Sequence, residues 1–370
     1  MARLGRRADE ALFALVGEDG TVTVEGELAG VFDGFRFRPD TEAERSREVL
    51  AAANRVVERE VARRVAAAVA DGDGGFTLGL EPGQKDAPRW GEIAWQGAAI
   101  ARLGQGDTPL RPQIALIGED HLSAAQRERV RRRLQSWLDH RIARDAGPLA
   151  SLREAALEGS ARGVAFALSE ALGCVPRRSL APQIAALNET GRRALAEAGV
   201  RLGALSVFLP AMLKPTRSRC AGLLWWAWSG AATPPPMPGS AVSMDRDPAL
   251  PDECYAALGL VPLGSQVIRA DIAERLAGRL RKAARKEPFA VDPGLLKLAA
   301  CKRAKFDDIL AALGYAMVGL GTDGLPRYGR SSTRPSRTAE RTRRRGRGVV
   351  DPDSPFAKLR VLATGAARSS

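Results

Sequence analysis

Two segments of the sequence repeat the same order of strand and turn signals, and this recurrence constrains the fold more than any other feature. The segment TVTVEGELAGVFDGFRFRPD (21–40) alternates apolar and polar residues around Gly26, as the strands of a β-meander do. The segment GEIAWQGAAIARLG (91–104) repeats the alternation and the glycine 71 residues later, at Gly97. We therefore predict two meander-plus-helix units within residues 1–146, related by duplication or alike by chance.

A helix signal follows each predicted meander. Thr41 and Glu44 have the spacing of a capping box, and so do Ser123 and Gln126, so each pair predicts the beginning of a helix. The apolar residues that follow recur at helical spacing, which predicts one buried face on each helix. These two stripes are Val57, Val61, Val65 and Val69, and Val130, Leu134, Trp137, Leu138 and Ile142.

The rest of the chain favours helices separated by glycine and proline breaks. After the α+β region at 1–146, we predict a helical region at 147–230, a Pro-rich connection at 231–250, a helical module with a helix-turn-helix-like end at 251–320, a disordered Arg-rich tether at 321–350 and a terminal docking peptide at 351–370. The predicted fold class is α+β, with N-terminal β-meander/helix units, a mainly helical middle and C-terminal part, and a disordered basic tail.

The charge of the chain favours an anionic partner. The formal net charge is +13 and the sequence pI about 10.3. Residues 330–370 hold eleven Lys and Arg against three Asp and Glu, so the remainder carries an ordinary charge. Charge sign alone does not separate RNA from DNA, ribosomes or acidic lipid.

Two groups of basic residues are the candidate nucleic-acid-binding sites. In the tail, an arginine run is suited to neutralising phosphates, although a solubilising linker has the same composition. In RLRKAARKEPF (279–289), basic residues follow one side of a predicted helix, as phosphate contacts or as a solvated face. The candidate residues are Arg341, Arg343, Arg344, Arg345 and Arg347, with Arg281, Lys282, Arg285 and Lys286 as the weaker second patch.

Three other patterns have both a functional and a structural interpretation. The helix LLWWAWSG holds Trp225, Trp226 and Trp228, which can stack on unpaired bases but are more typical of a core. The segment KRAKF (302–306) lies where a DNA-reading helix carries its contacts, yet two aspartates follow it and favour a packing module. His140 lies among arginines and is typical of a solvated helix face.

Several enzyme classes lack their signatures in this sequence. It contains no GxxxxGK[ST] phosphate loop, no GxGxxG after a strand, no GxSxG elbow and no HExxH helix. Its four cysteines are scattered, and it has two histidines, so we predict neither a metal site nor a cofactor. No apolar run has the length of a membrane span, so we predict a cytoplasmic protein without a membrane partner.

Four stretches resemble a known family. They are GEIAWQGAAIARLGQGDTPLRPQIAL, ARGVAFALSEALG, GVRLGALSVFLPAMLKP and DPDSPFAKLRVL, and they are similar to the C-terminal region of bacterial ATP-dependent DExH RNA helicases of the superkiller and mitochondrial-degradosome type. In that family two RecA-like domains on the N-terminal side hydrolyse ATP, and no position of this sequence matches their motifs. The resemblance implies an accessory region that helps a motor hold single-stranded RNA.

The expected function is therefore that of a helicase-related accessory protein that binds nucleic acid, RNA in the first place, without its own ATPase. The main alternative is a protein-interaction scaffold for a separate helicase or ribonuclease, with the paired N-terminal units as its contact surface. An enzyme of unrecognised type would need a cluster of carboxylates with perturbed pKa values in a deep pocket. A DNA-binding regulator would use residues 291–319.

Overall fold

The structure, a computed structural model, describes residues 12–41, 46–80, 88–285 and 287–331. The chain divides into two compact units, one of residues 1–282 with 292–309 and one of residues 283–291 with 310–370. The described residues form eleven helices and five small antiparallel sheets, which confirms the α+β class. The tail arginines at 341–347 and the terminal peptide at 351–370 lie outside these residues.

The N-terminal region contains the two predicted meanders. The sheets have the strand orders β1-β2-β3-β4 and β5-β6-β7-β8, so each strand pairs with its neighbours in the chain. The strands are β1 (Ala14–Val16), β2 (Thr21–Val24), β3 (Glu27–Asp33), β4 (Arg36–Pro39), β5 (Phe76–Leu78), β6 (Glu92–Trp95), β7 (Ala98–Thr108) and β8 (Arg111–Leu116). The alternation of apolar and polar residues thus correctly predicted paired strands in both segments, 21–40 and 91–104.

The two sheets share backbone details at the predicted offset of 71 residues. The β2–β3 turn, Glu25-Gly26, has φ angles of 52° and 84°, and the β6–β7 turn, Gln96-Gly97, has 50° and 81°. Two consecutive residues with positive φ are the signature of a two-residue type I′ hairpin turn. A register irregularity also occurs in both pairs, at equivalent positions. The units therefore repeat in backbone geometry as well as in sequence.

The first long helix, α1 (Arg47–Ala70), begins later than predicted. Its N-cap is Ser46, whose hydroxyl accepts a hydrogen bond from the backbone N–H of Val49 at 3.4 Å. Ser46, and not the predicted Thr41, is thus the N-cap of α1, and Glu44 of the predicted capping box lies outside the described residues. The valine stripe is confirmed: the first three valines are buried and the fourth is half-buried.

The second long helix, α2 (Ala124–Asp145), begins as predicted. The Gln126 N–H donates to the Ser123 hydroxyl at 3.3 Å, and the Ser123 N–H donates to the Gln126 side chain at 2.8 Å. This reciprocal pair satisfies two backbone donors that a helix leaves open at its N-terminus. The apolar stripe is also confirmed, with four residues buried and Ile142 half-buried.

Both sheets and both helices enclose one hydrophobic core. Phe35 of the first unit stacks on Trp95 of the second, with ring centroids 6.2 Å apart. Leu223 and Ala227, from a helix far along the chain, complete this core. Because the apolar side chains are shared, neither repeat buries its own face without the other.

The middle of the chain is mainly helical, as predicted, and surrounds a second core. Its helices are α3 (Gly147–Glu154), α4 (Gly159–Glu170), α5 (Ala181–Ala185), α6 (Glu189–Glu197) and α7 (Pro215–Ser229). A three-stranded sheet of order β10-β11-β9 was not predicted; its strands are β9 (Cys174–Pro176), β10 (Arg201–Leu202) and β11 (Ser206–Phe208). These strands have two or three residues each, too few for a clear period-2 pattern.

A fourth small sheet corrects the predicted helical structure of residues 251–270. Helix α8 (Asp252–Ala257) is followed by β13 (Leu260–Leu263) and β14 (Gln266–Arg269), and β14 also pairs with β12 (Ser243–Asp245). The predicted helical module at 251–320 is therefore wrong for residues 260–269, which form two strands. Val267 and Ile268 are fully buried as strand residues, and helix α9 (Ala270–Ala283) begins only after them.

The end of the described chain contains the predicted helix pair and an unpredicted sheet. Helices α10 (Pro293–Ala299) and α11 (Arg303–Ala312) flank Ala300, which has a φ of 51°. The second compact unit, which includes residues 310–370, holds a sheet of order β15-β17-β16. Its strands are β15 (Phe289–Ala290), β16 (Tyr315–Leu320) and β17 (Pro326–Arg330). The prediction that disorder begins at residue 321 is therefore wrong for β17, whose Tyr328 is buried.

The repeated turn gives a test of the duplicated geometry. We expect Gly26→Ala and Gly97→Ala each to lower the free energy of unfolding by about 1–2 kcal/mol, because a side chain is strained at positive φ. Gly72→Ala is the matched control, since Gly72 has a φ of −71° and open space around its Cα. Urea unfolding measures all three; an unchanged midpoint for either turn variant contradicts the prediction.

Candidate nucleic-acid interface

Helix α9 carries the part of the predicted basic patch that the structure describes. Leu276 and Leu280 are fully buried, as the helical spacing predicted. Arg281 and Lys282 are exposed in the last turn, where the negative end of the helix dipole favours cations. The fold therefore holds two adjacent positive charges on a rigid element and turns them to solvent.

The charges at this helix end have no acidic partner within the part of the chain that the structure describes. The Arg281 Nε–H donates to the Ala277 carbonyl at 3.3 Å, and no ion pair forms with Arg281, Lys282 or Arg285 there. Arg285 is exposed in the second compact unit, so the structure brings together Arg281 and Lys282 alone. Lys286, Arg341, Arg343, Arg344, Arg345 and Arg347 lie outside the described residues.

Many other helical arginines already hold a carboxylate. Glu60 binds the guanidinium groups of Arg63 and Arg64, each at 2.7 Å. The hydrogen bond from Arg63 is the largest cause that lowers the pKa of Glu60. Asp73 likewise binds Arg133 at 2.8 Å. These ion pairs lie within the two N-terminal units, and the carboxylates offset the charge of the arginines that they bind.

The most buried carboxylate among these ion pairs is at the end of α2. The Asp145 side chain is 8% exposed and accepts from the Nε–H groups of Arg141 at 2.6 Å and Arg144 at 2.9 Å. Burial acts to raise the pKa of Asp145, but the hydrogen bonds from Arg144 and Arg141 outweigh it and hold the pKa below its ordinary value. The carboxylate is therefore ionised at neutral pH and serves as a structural anchor.

The helix pair at 293–312 resembles a packing module more than a DNA reader. Arg303 binds Asp307 at 2.6 Å, and Lys305 binds Asp245 of β12. Phe306 and Ile309 are fully buried beneath them. Arg303 and Lys305, two of the three basic residues of KRAKF that would contact DNA, thus have partners within the fold.

The tryptophan cluster contributes mainly to packing. Trp226 packs on the N-terminal core and Trp225 on the middle core. The Trp226 ring packs directly against the backbone of Gly91, where a Cβ would lie 2.4 Å from the ring. His140 is 70% exposed with Nδ1 3.3 Å from an Asp73 oxygen, as the solvated-face interpretation implies.

A second basic surface was missed by the sequence reasoning. Arg192, Arg201 and Arg275 line a groove of about 500 Å³ between α6, β10 and α9. The first and last of these arginines are 83 residues apart in the chain, and no local pattern links them. Their convergence depends on tertiary packing, so only the structure shows it.

The cysteines offer no activated thiolate. Burial raises the pKa of Cys174, Cys220 and Cys254 to about 12, so these thiols stay protonated at neutral pH. Burial also raises the pKa of Cys301. Across the described ranges, no three His, Cys, Asp or Glu side chains converge in a way that would hold a metal ion.

None of the helices in the described ranges has both the length and the apolar character that a membrane-spanning helix needs. The 24-residue α1, for example, carries charged side chains along most of its length. A span of the bilayer core takes roughly 20 predominantly apolar residues.

The buried anchor gives a prediction with a defined pH dependence. Asp145→Asn should lower the free energy of unfolding by about 3 kcal/mol at pH 7, since it leaves Arg141 half-buried without its anion. Because the folded-state pKa is lowered, this contribution is complete above the ordinary aspartate pKa of about 3.9 and disappears as pH falls through the lower value.

Urea unfolding of wild type and variant between pH 7 and pH 3 measures this difference. Glu128→Gln is the control, because Glu128 is 55% exposed and forms only surface ion pairs. An Asp145→Asn effect that is no larger than the control, or that persists unchanged at low pH, contradicts the assignment.

We compared the chain with protein-family models, with curated proteins and with solved structures, and none of these comparisons found a match. The resemblance to helicase C-terminal regions thus stays a prediction from four sequence stretches.

Proposed function

We propose that this protein binds single-stranded RNA in the cytoplasm as a helicase-related accessory protein without its own ATPase. The observation that supports it best is the exposed last turn of α9, where Arg281 and Lys282 face solvent without a carboxylate partner in the described ranges. The net charge of +13 provides long-range attraction for a polyanion.

The chemistry of such contacts is electrostatic and independent of sequence. Arginine and lysine side chains that bind phosphates release condensed counterions, so affinity falls linearly with the logarithm of salt concentration. Each phosphate contact on a single strand contributes about 0.7 to this slope. The tail arginines 341–347 add more such contacts under the proposal.

RNA is favoured over other polyanions by the helicase resemblance. In that family the C-terminal region helps a motor to hold a single strand, and this chain carries no phosphate loop of its own. A separate helicase motor or ribonuclease is the partner that the proposal implies.

The described residues of the second basic patch, which are Arg281 and Lys282 at the end of α9 and Arg285 beyond it, can be tested with a charge-matched pair of variants. Replacing Arg281, Lys282 and Arg285 by alanine should reduce the salt slope for oligo(U) binding by about 2, the value for three lost contacts. The control replaces Arg131, Arg132 and Arg303, which removes the same charge from arginines that already pair with acids. Fluorescence anisotropy from 50 to 300 mM KCl measures both; equal slopes for the two triple variants contradict the assignment.

The tail has a separate test. Changing Arg341, Arg343, Arg344, Arg345 and Arg347 to serine in the full chain should reduce the slope by about 3.5. Substitution is preferable to deleting residues from 330 onward, because Arg330 pairs with Tyr315 in the last sheet. A quintuple variant with the wild-type slope removes the tail from the binding surface.

A scaffold function is the second candidate, and one surface favours it. The first sheet and the residue before it expose large apolar side chains, with Phe13 63%, Leu15 53% and Leu28 51% accessible. Leu15 and Leu28 both pair with Thr23, so they lie on either side of it, on the two outer strands of β1, β2 and β3. Two results would favour the scaffold. The chain would co-purify with a helicase, and the double variant Leu15→Ser/Leu28→Ser would abolish this co-purification. The isolated chain would not bind RNA.

A further inference from the structure

The groove between α6, β10 and α9 has the composition of a nucleotide site. Three arginines come from its three elements, and the remaining wall is largely apolar, with Leu202 and Pro210 among its residues. Its volume of about 500 Å³ is within the range of small-molecule sites, roughly 300–1,000 Å³. The groove therefore offers both guanidinium groups and apolar side chains to a ligand.

The two carboxylates of this groove already have hydrogen-bond partners within the fold. Asp271 accepts from Arg269 with both oxygens, at 2.7 and 3.0 Å. This hydrogen bonding raises the pKa of Arg269, so that guanidinium stays charged. The Asp271 carboxylate thus has a cation of its own and competes weakly for the arginines of the groove.

Glu274 is held by the backbone instead. Its carboxylate accepts from the N–H groups of Ala204, Leu205 and Ser206 at 2.7–2.9 Å. Gly203 is required beside it, because a Cβ there would lie 2.2 Å from the Glu274 oxygen. This carboxylate fixes the β10–β11 turn to α9 and therefore sets the shape of the groove.

The arginines, in contrast, face solvent. Arg201 and Arg275 are exposed, and neither forms an ion pair within the described ranges. Arg192 is also exposed and donates to the Ile184 carbonyl at 2.9 Å. Guanidinium groups bind phosphate oxygens in a bidentate manner, which makes them suited to a nucleotide phosphate.

The groove is also continuous with the basic side of α9. Arg275, Arg279 and Lys282 have the i, i+4, i+7 spacing of a single helix face, and all three are exposed. The distance along the helix from the first to the last is about 10 Å at 1.5 Å per residue. A strand that contacts the last turn of α9 thus reaches the groove along one row of cations.

We propose that this groove binds one nucleotide of the single-stranded RNA, with its phosphate on Arg201 and Arg275 and its base against Leu202 and Pro210. The inference rests on the proposed RNA binding and assigns it a second, internal contact. A nucleotide fits better than a free phosphate, because the apolar wall gives the base a surface to cover.

The test uses the full chain with a fluorescent twelve-residue oligo(U). Arg201→Ala/Arg275→Ala should weaken binding about tenfold or more at moderate salt and reduce the salt slope by about 1.4, the value for two lost contacts. Arg178→Ala/Arg193→Ala is the matched control, because these exposed arginines pair with Asp252 and Glu189 and do not line the groove. Arg201→Lys/Arg275→Lys, which keeps the charge, should retain the wild-type slope.

Photocrosslinking with 4-thiouridine in the same oligomer adds a readout of position. Crosslinks at residues 200–210 or 271–275, lost in the alanine double variant, support the inference. If wild type binds RNA and the alanine variant matches the control, with no crosslink there, the groove assignment is overturned and the proposed function stands. If wild type does not bind RNA at all, the proposed function fails, and the inference fails with it.

Discussion

One carboxylate on α9 binds three backbone N–H groups, and this interaction fixes the helix that carries the basic surfaces described above. Glu274 is on α9, and its oxygens bind the N–H groups of residues 204–206 in the β10–β11 turn. Leu276 and Leu280 are buried on the same helix, which fixes its rotation as well. With α9 held in this way, its arginines must face outward, and the groove beside β10 keeps its shape. The proposed RNA path therefore depends on an interaction in which no RNA takes part.

The N-terminal half shows how a duplicated unit becomes a single body. The two meanders keep the same type of turn 71 residues apart, yet their apolar faces meet in one core that also needs Leu223 and Ala227 of α7. About half of the described arginines of this half bind carboxylates, as Arg141 and Arg144 bind Asp145. That part of its charge stabilises the fold, whereas Arg281 and Lys282 of α9 face solvent without an acidic partner among the described residues.

The sequence was informative where a pattern is long and local. The valine stripe of α1 extends over several turns and the capping box of α2 over four adjacent residues, and both were predicted correctly. The N-cap of α1, Ser46, was not predicted. The strand β14 was mistaken for helix because Gln266–Arg269 is short and continues directly into α9. The groove was missed altogether, since its arginines belong to three elements that are adjacent only in space. The pairing of Lys305 with Asp245 was not predicted either, because the two residues are 60 positions apart and meet only in the folded chain.

The most direct test of the central claim is lysine acetylation of the full chain with and without oligo(U). Lys282 lies in the exposed last turn of α9, whereas Lys305 is held by Asp245 and serves as the internal reference. If single-stranded RNA follows the basic side of α9, saturating oligo(U) slows acetylation of Lys282 and leaves Lys305 unchanged. Equal rates at Lys282 with and without RNA that is demonstrably bound would contradict the account.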